Sequence, residues 1–275
     1  MNAMRILVCF KVTPDYEALR DADWVAGPGD AVRSRYVRRV LNCFDESALE
    51  LALRLRDDAA GQGVVAELGA LSVGGRETKP FFATLHALGY ERAARIEAGG
   101  ALDYAPAATA ALIAGYAQRV DRSDLLLLGS RCGPGDSGTV PFLVAEELGW
   151  PCVTQVTEVA PAGGGLRVTC AADDGRLSLT VRPPCVLAIG NALVSHLRVP
   201  TLTDRLARRE LRADVLAPGE VGVDLAEVLG DAPAALEGLE RIDRTRAGVV
   251  VGGGTPAEMA RALFAARVEE AIARS

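Results

Sequence analysis

The sequence predicts an α/β fold, doubly wound on a mostly parallel sheet, with an antiparallel hairpin added to the sheet and an extended C-terminal arm. Three observations carry this. Short aliphatic runs alternate with helical periodicity from Arg5 to about Ile189, the pattern of βαβ units. Leu125 to Leu128 is wholly apolar, as a central strand buried on both faces must be. A glycine-rich loop follows that strand at once.

Arg5 to Phe10 is expected as the first strand, and Lys11 to Leu41 as an irregular excursion containing Pro14, Gly27, Pro28 and Gly29. It is too long for an ordinary βα connection and is read as functional. Asn42, with Asp45 three residues on, has the form of a helix start, followed by Ala48, Leu51, Ala52 and Leu55 at helical spacing. Next come a strand from Val64 to Ser72, a helix from Thr78 to Leu88, a strand at Ala94 to Ile96 and a helix from Pro106 to Gln118. Beyond the Leu125 strand, Val140 to Leu148 reads as a helix and Cys152 to Val159 as a strand. Leu166–Cys170 and Leu177–Val181 alternate apolar and polar residues about Asp174-Gly175, which predicts a hairpin. Past Pro200 the chain is densely charged from Arg205 to Arg212, irregular from Val215 to Pro233, and helical from Pro256 to Ile272. The expected organisation is a nucleotide-binding α/β domain over 1–200 and an arm over 201–275.

Composition narrows the function. The formal net charge of −6 over 275 residues disfavours a nucleic-acid partner, because phosphate neutralisation needs a clustered basic surplus. The apolar run Ile6 to Phe10 is broken by Lys11, too short for a membrane span, and a cytoplasmic protein is expected. Six scattered cysteines without a CxxC pair, and only two histidines, His86 and His196, predict reduced thiols and no metal centre. His86 lies among apolar residues and reads as packing. No general acid/base pair or activated nucleophile emerges, so no catalytic residue is assigned.

Gly129 to Thr139 holds four glycines between a buried strand and a helix. Such a backbone can converge its N–H groups, and the helix N-terminus adds partial positive charge, together a cradle for phosphate. A flexible loop before a capped helix explains the same residues equally well, since the run fits neither the Walker pattern nor GxGxxG. If the first strand and the Leu125 strand are neighbours, Cys9 to Lys11 face this loop where winding reverses. Main chain near Cys9 and Val73 could then hold an adenine, and Asn42 and Asp45 could bond a sugar or only cap their helix. Val251 to Pro256 is a second glycine run, best explained by Thr255 as N-cap and Pro256 at the first helical position.

Several segments together resemble the electron-transfer flavoprotein beta-subunit family: Lys11 to Tyr16, the helix start Asn42 to Glu46 with Ala48, Glu50 and Leu55, the segment Leu125 to Trp150, Pro200 to Leu202, and Arg241 to Ile272. The resemblance implies a Rossmann-like domain that binds AMP, paired in a heterodimer with an alpha subunit carrying FAD. That flavin shuttles electrons from a partner dehydrogenase. In electron-bifurcating relatives the beta site holds a second FAD in place of AMP. Carried over by position, Cys9, Asn42, Asp45 and Val73 line the adenosine pocket, and Lys11 counts with them among the cofactor-binding residues. Gly129, Gly135, Asp136, Ser137, Gly138, Thr139 and Val140 form the phosphate loop. Tyr16 approaches the alpha-bound flavin, Leu202 docks the dehydrogenase, and the C-terminal segment contacts alpha. The chain departs from the family at Cys43, where proline is usual, at Ser130 and Pro134 in the loop, and at Ala207 to Glu210 after the anchor. Alternatives of other classes are a stand-alone universal-stress-like nucleotide-binding regulator and a nucleotide-hydrolysing enzyme on the same fold.

Overall fold

The computed structural model describes residues 3–20, 23–24, 34, 36–98, 102–133, 135–232, 238, 248, 250–269 and 272. Gly27, Pro28, Gly29, Pro134 and 241–247, on which parts of the sequence reading fall, lie outside these. The chain forms two compact units, Met1–Leu239 and Glu240–Ser275.

In the first unit the strands are β1 (Met4–Cys9), β2 (Val12–Pro14), β3 (Arg39–Leu41), β4 (Ala66–Val73), β5 (Arg92–Ile96), β6 (Leu125–Gly129), β7 (Cys152–Ala162), β8 (Gly165–Ala172), β9 (Gly175–Val181), β10 (Cys185–Ile189) and β11 (Asp214–Leu216). The helices are α1 (Cys43–Gly61), α2 (Lys79–Ala87), α3 (Pro106–Tyr116), α4 (Val140–Leu148), α5 (Leu202–Ala207) and α6 (Leu225–Gly230). One nine-stranded sheet runs β11-β5-β4-β1-β6-β10-β7-β8-β9. It is parallel from β11 through β7, and β8 and β9 extend it antiparallel. The doubly wound α/β fold and its hairpin addition are therefore as the sequence predicts.

Burial follows the strand alternation. Ile6 and Val8 point into one apolar layer with Leu49, Leu53 and Leu55 of α1 and Phe82 and Leu85 of α2. Leu7 and Cys9 point into the other, with Leu112 and Ile113 of α3 and Val144 and Leu148 of α4. Leu125 to Leu128 feed both layers in turn and are all buried, which is why that run carries no polar position.

Two stretches read as irregular contain structure. β2 and β3 pair antiparallel, Val12 opposite Leu41 and Pro14 opposite Arg39, closing the described ends of the Lys11–Leu41 excursion. After Ala213, β11 adds to the sheet edge beside β5, and Asp224 caps α6 by accepting from the N–H groups of Ala226 and Glu227. Three-residue strands are too short to display an alternating pattern, so their pairing is decided by the neighbouring chain.

The second unit contains α7 (Pro256–Leu263), continued by a π-helical turn over Phe264–Val268. Among the described residues no helix is long and apolar enough to cross a membrane.

Candidate functional site

After β1 the chain winds outward to β4 and β5, then returns to place β6 on the opposite side of β1. Val8 is level with Leu127, so the carboxyl ends of β1 and β6 lie side by side. Loops leaving two such strands part in opposite directions, and this is the place where open α/β sheets hold their ligands in a crevice. Cys9 to Lys11 and Gly129 are thereby neighbours. The floor is tightly made: the Phe10 N–H donates to the Leu71 carbonyl at 2.9 Å, and buried Ser72 donates its hydroxyl to the Phe10 carbonyl at 2.8 Å. Val73, half-buried, closes β4 beside them.

The first turn of α1 holds the crevice edges together. Asp45 is buried and accepts the Lys11 N–H on Oδ2 at 2.9 Å and the Gly129 N–H on Oδ1 at 2.8 Å. One carboxylate thus bridges the ends of β1 and β6. Burial pushes its pKa up to about 6, against the lowering effect of hydrogen bonds from Lys11, Asn42 and Gly129. Asn42 does not cap its helix through the side chain. Its Nδ2 donates to the Arg131 carbonyl at 2.8 Å, and its own N–H donates to the Lys11 carbonyl at 3.0 Å. Both side chains act on the frame of the crevice, a role sequence spacing could not reveal because Arg131 and Gly129 lie more than 80 residues away. Gly129 is required where it stands: a Cβ would meet Asp45 Oδ1 and the Phe44 Cβ. Cys43, exposed at the first helical position, needs no proline to start the helix.

The glycine loop leaves this frame with Ser130 N–H donating to the Ile189 carbonyl at 2.8 Å. Gly135, Asp136 and Gly138 have φ of 91°, 31° and 66°, left-handed geometry from which successive N–H groups can converge on an anion. Asp136, Ser137 and Thr139 are exposed. Ser137 Oγ and Thr139 Oγ1 share a 2.9 Å hydrogen bond. Thr139 makes no side-chain cap on α4, and Val140 with Pro141 opens the helix. Among the described residues no carboxylate fills its first turn.

Two cations stand near the loop. Lys11 Nζ is committed to Asp103 at 2.7 Å. Arg131 is exposed and lies beside Gly138, and among the described residues its guanidinium has no carboxylate partner. Sequence reasoning missed Arg131. The signal was its position one residue beyond Ser130, which stands where the resembled family has lysine. Tyr16 stacks on Trp24 with ring centroids 5.8 Å apart. Burial, then the carboxylate of Asp103, pushes the Tyr16 phenol to about 12, so it stays neutral. Cys132 in the loop is pushed up to about 11, chiefly by burial, and is a poor nucleophile at neutral pH.

Leu202 belongs to a separate surface. It opens α5 and is 72 % exposed, its helix capped by a reciprocal box between Thr201 and Asp204. The preceding strap is fastened to α1: Leu197 N–H donates to Glu46 Oε1 at 3.1 Å, and Arg198 engages Glu50 and Asp57.

In the second unit, Thr255 and Glu258 form a capping box, with Thr255 N–H donating to Glu258 Oε2 at 2.6 Å. The helix start is thus capped by the chain's own groups, the Glu258 N–H returning to Thr255 Oγ1 at 3.4 Å. Buried His86 donates from Nδ1 to the Tyr90 carbonyl at 2.8 Å, the packing role expected of it. Among the described residues no group of three or more His, Cys, Asp or Glu could hold a metal ion.

Comparison with known proteins agrees on one family. The family model of the electron transfer flavoprotein domain matches residues 31–208. The Escherichia coli (strain K12) protein named "Putative electron transfer flavoprotein subunit YgcR" is 30% identical over 269 residues, 95% of this chain and 96% of that protein. The electron transfer flavoprotein subunit beta of Homo sapiens is 28% identical over 232 residues, covering 83% and 87% respectively. That of Mycobacterium bovis is 25% identical over 189 residues, covering 69% and 71%.

Proposed function

We propose a function from one premise: the chain belongs to the electron transfer flavoprotein beta-subunit family. It is a nucleotide-holding subunit that takes AMP, or the adenosine half of FAD, in the crevice between β1 and β6. It pairs in the cytoplasm with an FAD-carrying alpha subunit, and the pair moves electrons from a dehydrogenase to an acceptor. The chain has no substrate chemistry of its own. The flavin, when bound, supplies the electron-carrying ring; the residues here bind, orient and shield.

The observation that carries this reading is the bridging of the β1 and β6 ends by Asp45, beside a loop with three left-handed residues and an α4 N-terminus without a side-chain cap. An adenine against the Cys9–Lys11 main chain and Val73 would send its phosphate toward Gly135 to Val140. There Arg131 could replace the positive charge absent at Ser130. Asn42 and Asp45 hold the walls, Tyr16 with Trp24 offers an aromatic face, and Leu202 docks the dehydrogenase.

The test is to co-express the chain with its alpha partner, extract the nucleotides and count them. One FAD and one AMP per heterodimer is expected of the simple carrier. Two FAD would identify an electron-bifurcating subunit. A stable assembly of this chain with itself, free of nucleotide and indifferent to alpha, would overturn the reading.

A further inference from the structure

The strap that carries the exposed leucine has an unusual fastening. Glu50, in the third turn of α1, is buried, and its carboxylate takes the Arg198 N–H on Oε2 at 3.0 Å. It also takes Arg198 Nε at 3.1 Å and a terminal guanidinium nitrogen on Oε1 at 2.8 Å. The other terminal nitrogen reaches Asp57 at 2.7 Å, and Arg54 adds a bond to Glu50 at 3.3 Å. Glu46, Glu50 and Asp57 recur at four- and seven-residue spacing, so one face of α1 presents all three. Planar guanidinium against carboxylate, with a backbone donor added, is among the more strongly directional pairings available to side chains.

Burial acting by itself would raise the Glu50 and Asp57 pKa values, yet the bonds and charge of Arg198, helped by Arg54 at Glu50 and Arg56 at Asp57, leave both lowered. Both carboxylates therefore stay ionised and the latch closed at neutral pH. What it holds out is apolar. Val199, Leu202 and Leu206 are 83 %, 72 % and 55 % exposed, and the segment that holds and follows the leucines carries Arg205, Arg208, Arg209 and Arg212 against only Asp204 and Glu210. A loop ending in exposed leucines would ordinarily fold them inward; here the chain is fastened immediately before them.

We infer that Glu50 and Asp57, through Arg198, are positioning residues that fix the strap so that Leu202 and Leu206 stand out toward an apolar pocket rimmed by carboxylates on the dehydrogenase. The inference rests on the docking role proposed for Leu202. Arg198 is mostly outside the core, so Arg198→Lys keeps the charge and the fold while removing the fork. In the intact heterodimer, hydrogen exchange of 192–207 should quicken by on the order of tenfold in Arg198→Lys. Asp57→Asn should produce a smaller increase, and peptides covering β1, β6 and β10 should keep wild-type rates. Less dehydrogenase should co-purify with tagged Arg198→Lys heterodimer from its own cells. Unchanged strap exchange in both variants, or equal quickening of strap and sheet, overturns the latch. Leu202→Ala separates the two ideas: strap exchange stays at the wild-type rate while co-purified dehydrogenase falls. Undiminished dehydrogenase with Leu202→Ala would overturn the docking role itself.

Discussion

Two glycine runs in this chain look alike as text and differ as chemistry. Gly129 to Thr139 and Val251 to Thr255 each place glycines and a threonine ahead of a helix that opens with proline at its first or second position. In the second run Thr255 and Glu258 satisfy each other, and the helix start is complete without a ligand. In the first, Thr139 bonds Ser137 instead, no carboxylate among the described residues returns to the α4 N-terminus, and the loop is gripped from outside by Asn42 and Asp45. Local sequence places glycines before a helix start in both places. The difference is topology: the first run leaves a strand at the point where winding reverses, and β6 lies beside β1.

The comparison can be broken most severely at Gly129. An added Cβ would press on Phe44 Cβ and the Asp45 backbone nitrogen at 2.8 and 3.0 Å, atoms held by a helix that cannot yield cheaply. Gly129→Ala should cost about 3 kcal/mol or more and empty the crevice, read by urea unfolding and nucleotide content. At Gly252 nothing lies within 4 Å, and the same change there should stay within about 0.5 kcal/mol. Comparable losses at both positions would end the distinction.

Asp45 sharpens it through pH. Its folded pKa of about 6 stands above the ordinary 3.8, so the folded state binds the proton more tightly. The stability it contributes is fully present below 3.8 and is lost as pH rises through about 6, a span worth up to about 3 kcal/mol. Keeping a buried carboxylate ionised at pH 7 is thus a cost that its two backbone donors only partly offset. Asp45→Asn should flatten the pH dependence of the urea midpoint between pH 4 and 6. It also leaves one of the Lys11 and Gly129 N–H groups without an acceptor. An identical slope in wild type and variant would mean that the bridging carboxylate does not titrate there.

The smallest effect belongs to the second run. Thr255→Ala should weaken the α7 start by about 1 kcal/mol, seen as faster exchange over 256–263, with nucleotide content unchanged. A fall in bound nucleotide would give that run a role in binding after all.

Much of the fold was legible because burial on two faces leaves a plain mark: Leu125 to Leu128, the α1 apolar spacing and the Asp174-Gly175 hairpin all read correctly. The short pairs did not. β2, β3 and β11 each span three residues, and their strand character comes from a neighbour distant in sequence. The site was legible as a set of segments and illegible as a set of bonds. Asn42 and Asp45 could be named from their spacing, yet whether each faced a ligand, its helix or the loop depended on partners 84 and 89 residues away. Glu50 was visible only as a letter in a motif, since nothing local ties it to Arg198.

The thiol at Cys43 has a practical consequence. Of the six cysteines it is the exposed one, while Cys132, Cys152 and Cys185 are half-buried or buried with thiols pushed up to about 11, chiefly by burial. A thiol-reactive dye added to this chain should therefore label Cys43 first. That label would sit one residue from Asn42 and two from Asp45, a built-in attachment point from which filling and emptying of the crevice can be followed by fluorescence.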